Sequence, residues 1–387
     1  MIKIAVIGTG TVGLMSLSHL LAWLPEDSQV VSIYDPNIPM LGIGETGQPG
    51  LVENLFFGTG FTVLNDGHEL DATMKLGATW IDWREHEFSP AIRPPGYSMH
   101  FNNFKLKDFC FNRFFEKWKD KFNIIEGNVL DVKNVEAGAA VKVDNNEYLF
   151  DFIIDCRGYP EEYTDEYEMV NMHVNHCLGY FDPTPGNWNT TISQAHENGW
   201  MFRLPLQTRQ NWGYLYNDTI TSKDEALDNF SQLMNRNARD LKLGEFTFKH
   251  YRAKRVLDGR ILKNGNRAMF YEPLEASAGF YYDLILRYFM DLLHGKYNED
   301  QFNATLYLAA VDTENFLNFV YHGGSTFNSK FWTTAKENAT KALDNQRWHE
   351  TIKLVNNSET DNDSVARWAV DHWKMWDKNL NFKYFKD

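Results

Sequence analysis

Two stretches of the 387-residue chain hold side chains and backbone that could do chemistry. The first is Gly8-Thr9-Gly10-Thr11-Val12-Gly13, set between an apolar run, Lys3–Ile7, and a helical pattern, Leu14 to Leu24. In that setting Gly8 allows a tight turn and Gly10 lets a diphosphate approach. Gly13 permits close helix–strand packing, and the anion rests on the helix N-terminus beside Thr11. Asp35 ends the next apolar run, Gln29 to Tyr34, where an acid binds a ribose hydroxyl. It argues against NADP and does not separate NAD from FAD. The second stretch is Tyr271-Glu272-Pro273-Leu274-Glu275-Ala276-Ser277-Ala278-Gly279-Phe280. Two carboxylates precede small residues, over which a ligand or anion can come close to backbone. Taken alone, it reads first as an ordinary acidic turn before a helix over Tyr281 to Leu293.

Composition narrows what surrounds them. Hydrophobic residues make up 43% of the chain and aromatics 15%, enough for a sizeable core. A net charge of −14 opposes nucleic acid or an anionic membrane as partner. Cys110, Cys156 and Cys177 are few and widely spaced, which suggests neither a disulfide framework nor a zinc site. No apolar run reaches the ~20 residues of a membrane span, and a strand at the very start leaves no targeting segment. A cytoplasmic protein is the expectation.

The elements that must position the chemistry follow in order. Pro39 to Gly50 is a second glycine-rich loop, whose Leu41, Ile43 and Thr46 would lie against a flat ligand. Asp71 to Leu76 reads as helical, and Thr79 to Arg84 alternates as a strand with Lys75 at its entrance. Phe104 to Lys121 reads as a helix, Met172 to Cys177 as a strand, Ser222 to Arg236 as an amphipathic helix and Phe246 to Val256 as a strand. His173, His176 and Cys177 fall on opposite faces without a carboxylate, so no metal site is expected. From Tyr281 the chain is mainly helical, and packing is the expected role of Trp368, Trp373 and Trp376. The expected fold is α/β with an α+β insert: a Rossmann-like dinucleotide-binding module (1–170 and 245–300), which the resemblance given next makes FAD-binding, a substrate-side sheet layer (171–244) and a helical C-terminal region (301–387).

Taken together, these motifs resemble the flavin-dependent halogenases of the tryptophan-halogenase type. The resemblance runs through the first glycine loop, Pro39-Met40-Leu41-Gly42-Ile43-Gly44-Glu45, Lys75 before Trp83-Arg84, and Asp155-Cys156-Arg157-Gly158. It continues through Gly199-Trp200-Met201-Phe202-Arg203-Leu204-Pro205, Gly213-Tyr214-Leu215-Tyr216, Glu272-Pro273-Leu274-Glu275 and Phe331-Trp332-Thr333-Thr334-Ala335-Lys336-Glu337. Phe202 and Leu204 depart conservatively from the family's G-W-x-W-x-I-P. After Glu275 the chain is one residue longer than the family's S-T-G, and its C-terminal helical part is shorter.

The resemblance implies a FADH2- and O2-dependent halogenase of the flavoprotein monooxygenase-type fold. Reduced FAD comes from a separate flavin reductase, a bound halide is oxidised to hypohalous acid, and Lys75 activates that oxidant toward a small aromatic substrate of indole or phenol type. Glu275 would stand beside Lys75, Ser277, Ala278 and Gly279 would offer backbone N–H groups to halide, and Val129 and Phe280 would touch the cofactor. The longer loop suggests a halide site open to chloride, bromide and iodide, and the shorter C-terminus an open pocket. Self-association into a homo-oligomer is compatible with the sequence. A flavin monooxygenase and a non-catalytic flavin-binding protein are the alternatives.

Overall fold

The computed structural model describes residues 1–387 except 41, 43, 93–95, 381 and 387. Leu41 and Ile43, expected at the cofactor, therefore lie outside the described residues. The first strand, β1 (Lys3–Ile7), has Ile4, Ala5 and Val6 fully buried, as a parallel strand covered on both faces requires. The chain turns at Gly8 (φ +100°) into helix α1 (Thr11–Trp23) and returns as β2 (Gln29–Tyr34), parallel to β1. Phe122–Glu126, Phe152–Asp155 and Ile261–Lys263 extend this parallel sheet, and Leu257–Asp258 is an antiparallel edge. The ordering puts β1 at the centre, with the Gly8 turn at its C-terminal end.

A second six-stranded sheet runs Gly244–Thr247, His176–Asp182, Gln210–Tyr216, Gly199–Pro205, Thr190–His196, Gly77–Ile81. Its strands are antiparallel neighbours except Gly77–Ile81, which enters parallel to Thr190–His196. A small antiparallel pair, Thr73–Lys75 with Ser98–His100, sits at the entrance to that strand. Five helices follow: Ser277–Leu293, Glu299–Gly323, Lys330–Ala342, Gln346–Asn357 and Val370–Leu380. No helix among the described residues is long and apolar enough to cross a membrane.

Several expectations need correction. Asp71 to Leu76 is not helical. Asp71 turns through φ +53°, and Thr73–Lys75 pairs with Ser98–His100, so a distant partner overrides the local pattern. Met172 to Val174 precedes the strand, which starts at His176, and His173 is buried against Asn318 and Tyr321. Phe246 to Val256 divides into Gly244–Thr247 and Tyr251–Ala253, which join different sheets. The helix expected from Tyr281 begins at Ser277.

Gly13 shows how closely the first turn is built, because a Cβ there would stand 1.9 Å from the Gly8 carbonyl oxygen. The strand, turn and helix would have to separate to admit it. Gly13→Ala should lower stability by roughly 2–4 kcal/mol, read as a fall in melting temperature, and should weaken flavin binding measured by fluorescence.

Candidate active site

At the nucleotide end, α1 starts at Gly10 with no side-chain cap, leaving its first backbone N–H groups without a helical partner. A Cβ at Gly10 would meet nothing within 4 Å, so the space needed by a diphosphate is there. Thr11 flanks it, its hydroxyl donating to Asn103 Oδ1 at 3.1 Å. Asp35 is half-buried, and one of its carboxylate oxygens accepts from the Asn37 amide at 2.8 Å. Val129 opens the strand that follows Glu126, itself paired with Tyr34 beside Asp35. These residues fit an ADP-bearing cofactor laid across the C-terminal end of the parallel sheet.

The segment Glu45–Gln48 joins this end to the second stretch. The Glu45 side chain is fully buried and accepts from the Asn103 amide at 2.8 Å, from Arg209 at 2.8 Å and from Asn211. Its main chain is tied on both sides, Phe101 N–H to Glu45 O at 3.1 Å and Gly47 N–H to Met99 O at 2.9 Å. Lys75 then reaches the segment: its Nζ donates to Thr46 Oγ1 at 3.3 Å and Gly47 O at 3.4 Å. Thr46, expected at the cofactor, is thus a partner of Lys75. Lys75 is only 6% exposed, and burial holds its ammonium down to about 8, with the nearby Glu275 carboxylate opposing part of that drop. A primary amine that is partly neutral near pH 8 can act as donor or nucleophile.

Gln48 completes the bridge. Its Nε2 donates to the Glu275 carbonyl at 2.7 Å and to the Ala276 carbonyl at 3.4 Å. Glu275 and Ala276 both adopt left-handed backbone, φ +58° and +49°, which costs each a non-glycine penalty. This left-handed pair runs directly into the helix. Ser277, Ala278 and Gly279 therefore form a first helical turn and not an extended loop. The Ser277 N–H is already spent on Leu274 O, leaving Ala278 and Gly279 in the turn where N–H groups lack helical partners. The Ser277 hydroxyl is buried without a hydrogen-bond partner, and a Cβ at Gly279 would meet only Gln48 Cγ, at 3.8 Å. The turn has the donors and the open space that an anion needs. Phe280, expected at the cofactor, is 39% exposed and lies under the Arg367 guanidinium at 4.8 Å.

Buried rings cluster around Trp83. Trp83 meets Trp80 at 5.2 Å, Trp332 at 5.3 Å, Tyr321 at 6.1 Å and Trp200 at 6.4 Å. The C-terminal helix reaches this cluster, with Trp376 edge-on to Trp80 at 4.7 Å, and His372 Nε2 lies 3.9 Å from Glu275 Oε1. The shorter C-terminus thus still brings a helix, Val370–Leu380, up to Glu275 and Trp80. Sequence reasoning did not single out Gln48, Arg209 or His372, because each acts on a residue far away along the chain, Glu275 for Gln48 and His372 and Glu45 for Arg209.

The parallel sheet, the Gly8 turn and the start of α1 define a Rossmann-like α/β fold of the dinucleotide-binding kind. The tryptophan halogenase family model matches residues 3–115 and 90–378, and the chain belongs to that family. Its members are flavin-dependent enzymes of the oxidoreductase kind. Tryptophan 6-halogenase ThaL of Streptomyces albogriseolus is 23% identical over 420 residues, covering 86% of this chain and 78% of the relative. Tryptophan 7-halogenase RebH of Lentzea aerocolonigenes is 22% identical, covering 87% and 79%. Among solved structures, the tryptophan halogenase from Shewanella frigidimarina superposes with a TM-score of 0.82 at 16% identity over 99% of this chain and 89% of that one. BrvH, a flavin-dependent halogenase from Brevundimonas, gives 0.76 at 15% identity over 100% and 91%. At such identities the structural likeness speaks to the fold.

Glu272, the other acid of the motif, plays a different part from Glu275. It is fully buried, and neither oxygen makes a hydrogen bond of normal geometry, although Tyr321 and the Val174 backbone lie close enough to oppose the shift in part. Burial pushes its carboxyl up from 4.5 to about 8, so the folded protein keeps the proton that the unfolded chain gives up. The stability this proton confers is complete below pH 4.5 and is lost as pH rises through about 8. Glu272→Gln should therefore melt above the wild type as pH approaches 8, with the gap in melting temperature closing toward pH 5 in a pH series.

Proposed function

We propose that this chain is a flavin-dependent halogenase that places a halogen on an electron-rich aromatic ring, of the tryptophan-like indole class first and of phenol type second. The observation that carries the reading is a buried primary amine, Lys75, held by Thr46 and Gly47 in the electrostatic reach of Glu275. Membership of the tryptophan halogenase family, and relatives named as tryptophan halogenases, support the reaction class and the indole.

When bound, reduced FAD from a separate flavin reductase supplies, with dioxygen, the two-electron oxidation that turns halide into hypohalous acid. The chain's own residues do the rest. The Gly8–Gly13 turn and Asp35 hold the nucleotide part, and the first turn at Ala278 and Gly279, with the Ser277 hydroxyl, holds the halide. Lys75 donates a hydrogen bond to the oxidant or takes its halogen on nitrogen, and so directs the electrophile to one ring carbon. Glu275 takes the proton from that carbon as aromaticity returns, and its charge stabilises the cationic ring beforehand. The buried rings around Trp83 exclude water, which would otherwise disperse the oxidant.

Lys75→Ala should keep flavin affinity and lose halogenated product by at least about 100-fold, read by mass spectrometry with FAD, a reductase system, NADH and an indole and phenol panel. Oxygenated product formed without halide would instead identify a monooxygenase. In the same assay the open space at Gly279 predicts turnover with bromide as well as chloride. Strict chloride dependence would refute that part.

A further inference from the structure

The C-terminal helix Val370–Leu380 brings one more titratable side chain to the site. His372 Nε2 stands 3.9 Å from Glu275 Oε1, within reach of one side-chain adjustment or one bridging water. Its place is fixed by the packing of the segment. Val365 pairs with Trp368 in a short hairpin, Trp373 Nε1 donates to Val365 O at 2.9 Å, and Arg84 Nε donates to Asn379 O at 2.6 Å. The imidazole lies nearly parallel to the Phe316 ring, 5.6 Å away and tilted by 29°. The helix is thus pinned at both ends, with His372 turned toward Glu275.

Exposure rises stepwise along these groups. Lys75 is 6% exposed, and the Glu275 and His372 side chains are 16% and 25% exposed. Glu275, once protonated, must release its proton before the next turnover. His372 is the more exposed neighbour on the outward side.

We infer that His372 is the proton outlet of the site, relaying to solvent the proton that Glu275 removes from the halogenated ring. The inference rests on the halogenase reading above. In the step, the ring C–H bond breaks and its electron pair returns to the ring while the proton goes to Glu275 Oε1. The proton then passes to His372 Nε2, giving an imidazolium and restoring the carboxylate, and leaves to water. His372 does not touch the ring and acts only through Glu275. Glu275 faces His372 from the site, with Lys75 in the electrostatic reach of Glu275, and Asp371 and Lys374 flank it on its own helix, Lys374 being paired with Asp361 at 3.1 Å. From neighbouring elements, Arg367 lies over Trp368, and Asp312, a turn before Phe316, is held by Arg347 at 2.6 Å.

The test uses the full chain with FAD, reductase, halide and an indole substrate, comparing wild type with H372Q, H372A, K75A and E275Q. The relay predicts that H372Q lowers kcat about 10-fold with KM and flavin affinity unchanged, and removes the limb of the kcat–pH profile that falls in the histidine range. It also predicts that added imidazole restores H372A. Wild-type kcat and pH profile in H372Q, with K75A and E275Q inactive, would overturn the relay and leave the halogenase reading standing. A loss of kcat in both histidine variants that imidazole does not restore would assign His372 a packing role and equally overturn it. An active K75A would instead sink the halogenase reading itself.

Discussion

The buried carboxylate of Glu45 is the constraint on which the site depends. An ionised group removed from water is tolerable only if its charge and lone pairs are matched, and Arg209, Asn211 and the Asn103 amide do this from a strand-and-turn segment and a helix of separate parts of the chain. Burial pushes its carboxyl up and Arg209 opposes that shift. Removing either partner would strand the other, so the second glycine-rich loop has one permitted position against the antiparallel sheet. That position sets Thr46 and Gly47 for Lys75 and Gln48 for the left-handed pair. Placement of amine and acid therefore follows from a carboxylate with no chemical task of its own.

Much of the nucleotide half was legible in the sequence, because its requirements are local. A tight turn, a helix N-terminus and an acid at the end of a strand fall within ~20 residues and need particular residue types at fixed spacing. The Glu272–Glu275 motif and Lys75 became legible through several family motifs occurring in order, whereas periodicity alone assigns a lysine to the surface. Gln48 and His372 carry no such mark. A glutamine in a loop and a histidine on an amphipathic helix acquire meaning only from what folding sets opposite them.

The misread elements share a cause. Asp71 to Leu76 has too few residues for helical periodicity to outweigh a long-range pairing, and Thr73–Lys75 goes to the strand Ser98–His100. The helix after Glu275 starts earlier than its apolar pattern because its first turn faces the site and needs small residues rather than core-filling ones. The extra residue was visible by comparison, but its consequence was not. Two left-handed residues lead straight into a helix that begins at Ser277, where a loop up to Tyr281 was expected.

The ring of tryptophans around Trp83 has a meaning beyond water exclusion. Indoles are among the side chains an electrophilic halogen attacks most readily, so an enzyme of this class is lined with its own competing substrate. Trp80, Trp83, Trp200 and Trp376 are 0–2% exposed and meet largely edge to face, so their reactive ring carbons are covered by neighbouring side chains. Tight packing is then a form of chemical passivation. The number of turnovers a molecule survives would depend on how seldom its core loosens enough to admit a small oxidant, which ties catalytic lifetime to local unfolding rather than to the reacting groups.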